Sequence, residues 1–320
     1  MKSKIVLVSP AVAEANNGNW HTAHRWAKFL SSHCDTSICQ DWHAKDKNFD
    51  AMIALHARRS APSIHAWARQ HPGKPLIVVL TGTDLYRDIH SDADAQRSLQ
   101  LATHLVVLQE AGLAALPKAL QAKARVIFQS APRLKPAVKS MQRFKTVMVG
   151  HLRDEKDPLT LMQAARLCQG AVDIDQIGDG LDSSLADAAR KTAAQVPGYR
   201  WLGGLPRSET RQRIKRAHVL VNCSLMEGGA HVILEAVQSA TPVLASHISG
   251  NVGMLGTDYA GYFEVGDALG LAALLKRCAT QPAFLAHLQS QCALRAQLFE
   301  PAVEKRLVLT LVAFVTKESP

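Results

Sequence analysis

Short runs of β-branched and aliphatic residues alternate with amphipathic stretches of helical period along this whole chain, and that alternation leaves few folds open. Where each strand is followed by a helix before the next strand, the strands pair in parallel and the helices cover the sheet faces. The first series of strands is expected at Lys4–Ser9, Thr36–Cys39, Ala51–Leu55, Leu76–Leu80, His104–Leu108 and Arg125–Phe128, with helices between them such as Trp20–Ser31 and Ser60–Gln70. From Ala131 to Arg143 the periodicity stops, and Ala131-Pro132-Arg133-Leu134-Lys135-Pro136 reads as an exposed linker. A second series follows at Thr146–Gly150, Val172–Ile177, Tyr199–Leu202, His218–Asn222, Val243–Ser246 and Gly261–Glu264. The last stretch, Pro301–Thr316, reads as a helix that crosses back onto the first domain.

The fold class expected is therefore α/β, with two Rossmann-like doubly wound domains facing a central cleft. Their bounds are 1–135 and 136–300, and the C-terminal helix falls within 301–320. A chain of 320 residues with 47% hydrophobic residues is long and apolar enough for two cores. No internal repeat of solenoid period is visible. Ligands of open α/β sheets gather at the carboxyl ends of the strands, which places the expected site in the cleft.

Composition narrows the partners. The formal net charge of +10 favours anions by long-range steering. The cations are scattered and only 5% of residues are aromatic, so neither a basic stripe nor a base-stacking platform for nucleic acid is expected. No apolar run approaches the roughly 20 residues that span a bilayer. Ile5–Val8, after Met1-Lys2-Ser3-Lys4, is too short for a signal peptide and reads as the first buried strand. The six cysteines (34, 39, 168, 223, 278 and 292) form no C-x-x-C pair, which suits reduced thiols, a cytoplasmic location and no membrane insertion.

The strongest chemical pattern is Glu227-Gly228-Gly229-Ala230-His231-Val232-Ile233-Leu234-Glu235, after the buried run Val219-Leu220-Val221. Glutamates at this spacing lie about 80° from eclipsed on a helix, so one helical face does not present both. Glu227 is placed in the loop before a helix and Glu235 two turns inside it. The glycines let backbone N–H groups at the helix start approach an anion. Carboxylates accept paired sugar hydroxyls, so the expected ligand has a phosphate centre flanked by two polyol ends, the form of a nucleotide-sugar. The same residues also suit an ordinary helix N-terminus with two surface glutamates.

Upstream, Lys145–Gly150 is a strand ending in glycine, and His151-Leu152-Arg153-Asp154-Glu155-Lys156-Asp157-Pro158 opens a helix. A lysine just before a helix can neutralise a departing diphosphate, although most lysines are solvated surface groups. Ile177-Gly178-Asp179-Gly180 and Trp201-Leu202-Gly203-Gly204 are further glycine turns after strands.

Taken in order, Val149-Gly150-His151-Leu152 with Lys156, Ile177-Gly178-Asp179-Gly180, Leu202-Gly203, the E-x7-E of Glu227 and Glu235, and Ala240-Thr241-Pro242-Val243 resemble the retaining glycosyltransferases of family 4. The resemblance implies a GT-B fold, UDP- or GDP-sugar donors and no required metal or other cofactor. It implies that Lys156 meets the diphosphate, that Glu235 takes the ribose hydroxyls, and that Glu227 with the amides of Gly228, Gly229 and Ala230 holds the donor sugar. Gly150 and Gly178 belong to the same donor set. Two positions depart from the family pattern. His151 stands where an arginine is usual, leaving Arg153 as the second cation, and E-G-G-A replaces the usual E-G-F-G.

In the N-terminal half, Asn16-Asn17-Gly18-Asn19-Trp20-His21 occupies the position of the family's glycine-rich loop near donor phosphate and acceptor. Gly18 offers close backbone approach, and Asn19 and His21 offer hydrogen bonds, with His21 a proton donor. A lone histidine here also suits a purely structural place. Leu55-His56-Ala57-Arg58-Arg59-Ser60 sets two arginines after a strand, and Thr81-Gly82-Thr83-Asp84-Leu85-Tyr86 sets hydroxyls and a carboxylate in the same way. Arginine binds tetrahedral oxyanions in a bidentate manner. Arg58, Arg59, Thr81, Thr83 and Asp84 therefore form the expected acceptor set for a small anion, with an arginine pair on a solvated helix end the plainer alternative.

H-A-R-R-S-A, T-G-T-D-L-Y and Asn251-Val252-Gly253-Met254-Leu255-Gly256 resemble the selenosugar synthases of selenoneine biosynthesis. That resemblance implies transfer from UDP-N-acetylglucosamine to selenophosphate. Lys156, Glu227 and His21 are the expected catalytic set. The alternatives are a family 4 enzyme with a small hydroxyl acceptor, a UDP-sugar epimerase, and a nucleic-acid-binding protein suggested by net charge alone.

Overall fold

The computed structural model describes residues 2–10, 18–43 and 48–317. Asn16 and Asn17, at the start of the expected glycine loop, lie outside them. The backbone groups into two compact units. One comprises residues 1–129, 227–229 and 301–320, the other residues 130–226 and 230–300.

The first unit is built on a six-stranded sheet of order β2-β1-β3-β4-β5-β6. The strands are β1 Ser3–Val8, β2 Cys34–Cys39, β3 Ala51–Leu55, β4 Leu76–Leu80, β5 His104–Val107 and β6 Ala124–Val126. All its pairs are parallel. Both faces are buried, as crossover helices require of a parallel sheet, and side-chain alternation sorts the strands between two cores. Ile5, Leu7, Ile53 and Leu55 meet Ala23, Trp26 and Leu30 of helix Gly18–Leu30 and Val308, Val312 and Val315 of the C-terminal helix. Val6, Val8, Met52 and Ala54 face the opposite core with Ile64, Trp67 and Leu99.

The C-terminal helix, Pro301–Lys317, returns to this unit. Its Glu304 is 0% exposed. Arg25 donates to it from Nε at 2.8 Å and from Nη2 at 2.9 Å, and Trp26 Nε1 donates at 2.7 Å. A buried carboxylate is thus matched by a bidentate guanidinium and an indole N–H, the arrangement that makes a charge tolerable in an apolar core.

The second unit holds a six-stranded sheet of order β12-β11-β10-β7-β8-β9. Its strands are β7 Lys145–Val149, β8 Asp173–Ile177, β9 Tyr199–Trp201, β10 Val219–Asn222, β11 Val243–Ser246 and β12 Tyr262–Phe263, again all parallel. The strand order runs outward in one direction from β7 to β9 and in the other from β10 to β12. The switch point between β7 and β10 is where a doubly wound sheet opens a crevice for ligands.

The expected linker differs from a free one. Residues 131–143 have no regular structure, yet they are hydrogen-bonded along the second unit. Leu134 N–H donates to Gln238 O and Arg211 Nη2 to Pro132 O. Lys139 Nζ donates to the carbonyls of Lys215 and Ala217 and to Thr241 Oγ1. Its prolines prevent a ladder, so single backbone and side-chain bonds supply the attachment. Burial pushes the Lys139 ammonium down to about 8. Among the described residues no helix is long and apolar enough to cross a membrane.

Candidate active site

The loops after β7 and β10 flank the switch point of the second sheet. Glycines fix their course. Gly150 N–H donates to Ile177 O, and Gly178 N–H donates to Gly203 O, so the turns after three neighbouring strands are linked in series. Gly178 has φ +144, and a Cβ there would lie 2.0 Å from Gly150 O. Only glycine fits both the backbone angle and the contact. Gly178→Ala is expected to destabilise the second unit by about 3 kcal/mol or more, from strain and overpacking together. Urea unfolding measures this, and an unchanged midpoint would show that Gly178 matters only to a ligand.

Lys156 ends a short 3-10 turn, Asp154–Lys156, ahead of helix Pro158–Cys168. Asp157, in the left-handed region at φ 44, caps that helix by accepting from Thr160 N–H. This turn folds the Lys156 stem back over Gly150, with its Cγ and Cδ 3.4 Å from where a Cβ would stand. Arg153 is half-exposed, and its buried Nε has no hydrogen-bond partner, the nearest carboxylate oxygen being Glu155 Oε2 at 3.8 Å. Leu225 N–H donates to Glu155 O at 2.9 Å, which ties this loop to the one after β10.

His151 is not a cation in this frame. Its Nδ1 accepts from Asp179 N–H at 3.1 Å. Burial lowers its pKa, as do the Arg153 and Lys156 charges, against the opposing pull of Asp179. The neutral imidazole leaves Lys156 and Arg153 as the cations of this loop.

Helix His231–Val237 is seven residues long, with Ala230 at its N-cap and no side-chain cap. Glu235 therefore sits one turn inside it, instead of the two turns expected from sequence. So short a helix has a small dipole, and cationic side chains must carry most of the interaction with an anion. Glu235 is 5% exposed and is surrounded by basic side chains. Arg207 Nη2 lies at 3.2 Å, His231 Nδ1 at 3.4 Å and Arg211 Nε at 3.9 Å, all from Oε1. Arg211 Nε and His231 Nε2 are buried without hydrogen-bond partners. Burial alone would raise the Glu235 carboxyl, but the His231 hydrogen bond and charge, with Arg207 and Arg211, outweigh it and hold it at about 2.

Its ordinary value in an unfolded chain is about 4.3. A depressed carboxylate contributes stability above its unfolded pKa and loses it as pH falls towards the folded one. On this account the group supplies about 3 kcal/mol above about pH 5, lost progressively between about pH 5 and pH 1. Glu235→Gln is expected to flatten that part of the curve of urea stability against pH. A slope identical to wild type would sink the assignment of charge.

Arg207, Arg211 and His231 were not singled out from sequence. A trace of them was there: Arg207 and Arg211 stand four apart in the helix Arg207–Arg216, after a glycine turn. The concavity of about 530 Å³ lined by Gln163, Arg166, Leu167, Asp267 and Leu269 holds none of the motif residues. It lies at the far end of helix Pro158–Cys168 from the switch point. Among the described residues, no three His, Cys, Asp or Glu side chains are grouped as metal ligands.

In the first unit, two βα loops are joined by Asp84. This carboxylate is 0% exposed. Its Oδ1 accepts from Thr81 and Gly82 N–H and its Oδ2 from Ala57 N–H, at 2.8–2.9 Å. It holds the loop after β3 against the loop after β4, which is what its sequence position in T-G-T-D serves. Thr81 and Thr83 are partly exposed, and Ser60 turns inward to donate to Leu55 O. Arg58 is paired with Asp92, Nε to Oδ2 at 2.9 Å. Arg59 is exposed and has no side-chain partner among the described residues.

Gly18 is exposed in open space at the start of helix Gly18–Leu30, with Asn19 and His21 partly exposed in its first turn. Glu227, 8% exposed, belongs with Gly228 and Gly229 to this first unit. A Cβ on Gly228 would fall 2.3 Å from the Thr81 carbonyl carbon, and one on Gly229 2.7 Å from Leu108 Cβ. That close approach gives a packing reason for two glycines in succession.

Residues 133–291 match the family described as glycosyl transferases group 1. A stretch of 108 residues is 33% identical to the glycosyltransferase 1 domain-containing protein 1 of Xenopus tropicalis, covering 33% of this chain and 31% of that protein. The match thus spans about a third of the relative's length. Among solved structures, HepE of Anabaena in complex with UDP and glucose superposes with a TM-score of 0.76 at 14% identity, over 98% of this chain and 100% of that one. HepE has also been solved with UDP-glucose. Sucrose-phosphate synthase of Thermosynechococcus elongatus gives 0.79 at 16% identity, over 99% and 100%. At such identities the likeness establishes a shared fold.

Proposed function

Because the chain carries a group 1 glycosyl transferase domain at residues 133–291 and has the GT-B fold, we propose that its donor is a UDP-sugar, UDP-N-acetylglucosamine in the first instance, and its acceptor selenophosphate. The observation that carries the donor half is Lys156 folded over Gly150, beside the unsatisfied Arg153 Nε, in a loop bonded to the one leading to Glu235. HepE, of the same fold, holds UDP-glucose. In this reading Lys156 and Arg153 meet the diphosphate, and the sugar lies against Glu227 and the Gly228–Ala230 backbone. Glu235 offers Oε2 to the ribose hydroxyls while Oε1 stays with Arg207 and His231. The two cations answer the charge of the diphosphate, and no metal or other cofactor is proposed.

For the acceptor, the loops after β3 and β4 offer Arg59, Thr81 and Thr83 to a small anion, with Asn19 and His21 further candidates. Arg58, being paired to Asp92, contributes as part of the loop frame. Selenium attacks the anomeric carbon as the bond from that carbon to the diphosphate oxygen breaks, and UDP departs with the electron pair. Hydrolysis of the selenium–phosphorus bond then adds water and releases phosphate and the selenosugar. Because the nucleophile is already anionic, alignment and stabilisation of the leaving group are the main tasks.

The test is to incubate the protein with UDP-N-acetylglucosamine and selenophosphate and analyse the products by mass spectrometry. UDP, phosphate and a selenium-bearing sugar are expected. No selenium product with any UDP-sugar would overturn the reading, and turnover of a neutral hydroxyl acceptor instead would favour a conventional family 4 enzyme.

A further inference from the structure

The loop after β3 carries a histidine that the acceptor set does not include. His56 is 3% exposed and has φ +73, a left-handed conformation that a non-glycine residue adopts at a cost and that clusters at functional sites. Its surroundings decide its tautomer. Arg59 N–H donates to Nδ1 at 3.2 Å, so the single proton of the ring lies on Nε2. Nε2 is 3.0 Å from Thr83 Oγ1 and donates to it.

Charges around the ring favour the same state. Asp88, 4% exposed, has a buried Oδ2 with no hydrogen-bond partner, 4.0 Å from His56 Nε2. Asp84 Oδ2 lies 3.9 Å from Nδ1 but is bonded to Ala57 N–H. The Asp88 carboxylate thus draws the proton to Nε2, and the Arg59 N–H excludes one from Nδ1. Burial, first, and the Arg59 charge keep the ring neutral against the pull of Asp84 and Asp88.

The consequence falls on Thr83. Its oxygen already accepts a proton from His56, and its own O–H has no acceptor among the described residues. A hydroxyl with its lone pair engaged in this way is turned to donate outward, and it is partly exposed. We propose that His56 is a positioning residue, which with Asp88 holds Thr83 as a hydrogen-bond donor to an oxyanion of the acceptor. The chemical class is a tetrahedral phosphate-like anion, and the inference rests on the acceptor reading given above.

The test compares H56N, T83V, T83S and H56N/T83V with wild type. Asparagine tolerates the left-handed backbone and keeps an oxygen near the Arg59 N–H, but it does not reach Thr83. Because a hydrogen bond to a charged group is at stake, H56N and T83V are each expected to raise KM for selenophosphate about tenfold or more. KM for the UDP-sugar should move less than about twofold, since neither residue belongs to the proposed donor set. T83S should recover most of what T83V loses, and the double variant should be little worse than T83V, since both remove one interaction.

An unchanged acceptor KM in H56N, or losses that simply add in the double variant, would overturn the proposal while leaving the selenophosphate reading intact. If wild type makes no selenium product, calorimetric titration with thiophosphate decides the matter independently. Binding that H56N and T83V both weaken supports the relay, and no binding, or equal binding by all variants, removes it. T83V changes a partly exposed side chain, so its result stands even if H56N fails to fold.

Discussion

Lys156→Ala is expected to lower kcat by about 100- to 1000-fold, the range found when one preorganised donor to a developing charge is removed. Affinity for UDP should fall much less. The reasoning starts from the short turn Asp154–Lys156, which Asp157 closes by capping the next helix. That turn sets the lysine stem on the bare backbone of Gly150. Charge on the diphosphate grows as its bond to the sugar lengthens, and an ammonium held in place interacts more strongly with that transition state than with the bound donor. Steady-state kinetics with calorimetric UDP titration separate the two quantities. A kcat within threefold of wild type would mean that Lys156 is a surface group, and equal losses in kcat/KM and UDP affinity would assign it to binding only. Lys156→Arg keeps the charge but not the point-like ammonium, so partial activity is expected from it.

Glu304→Ala should produce the largest loss of stability, about 3–5 kcal/mol in the first unit, the usual consequence of breaking one side of a buried ion pair. The carboxylate is 0% exposed and takes both Arg25 bonds and the Trp26 indole N–H. Without it, a guanidinium with 15% of its side chain exposed and a buried N–H lose their acceptor together. The C-terminal helix would then rely on its packing, with Val308, Leu311, Val312 and Val315 in the core. Urea unfolding followed by tryptophan fluorescence reads the effect, because Trp26 is one of the partners. A loss below about 1 kcal/mol would show that the helix is held by packing alone.

The central strands were legible because a strand buried on both faces of a parallel sheet is a short apolar run, as in β1, β3 and β4. β3, β4 and β11 fall on the expected residues, and other strand ends shift by a residue or two, as at β6 and β12. Strand ends depend on ladder partners that a run of apolar residues does not name. The segment 131–143 is largely exposed, as expected, but its attachment was not legible for a related reason. Its prolines mark the absence of a strand or helix, and nothing local says that Lys139 and Leu134 will bind a distant backbone.

At the candidate site, residue type and spacing picked out the glycine turns, Lys156 and the glutamate pair. Spacing did not find the cations at Glu235, since Arg207 and Arg211 lie on another helix and approach it only once β9 and β10 have taken their places. Nor did it find the state of His56, which depends on Arg59 N–H, Thr83 and Asp88.

By itself, then, the chain's order of apolar runs and glycine turns determined an α/β protein with two parallel sheets and glycine turns at the carboxyl ends of their strands, because hydrophobic period and backbone freedom are local properties. Only the tertiary structure decided which oxygens and protons face a ligand. Asp84 is engaged by backbone amides, Arg58 by Asp92, and Glu235 by cations far off in sequence. The protonation and direction of a polar group follow from neighbours that folding brings together across long stretches of chain.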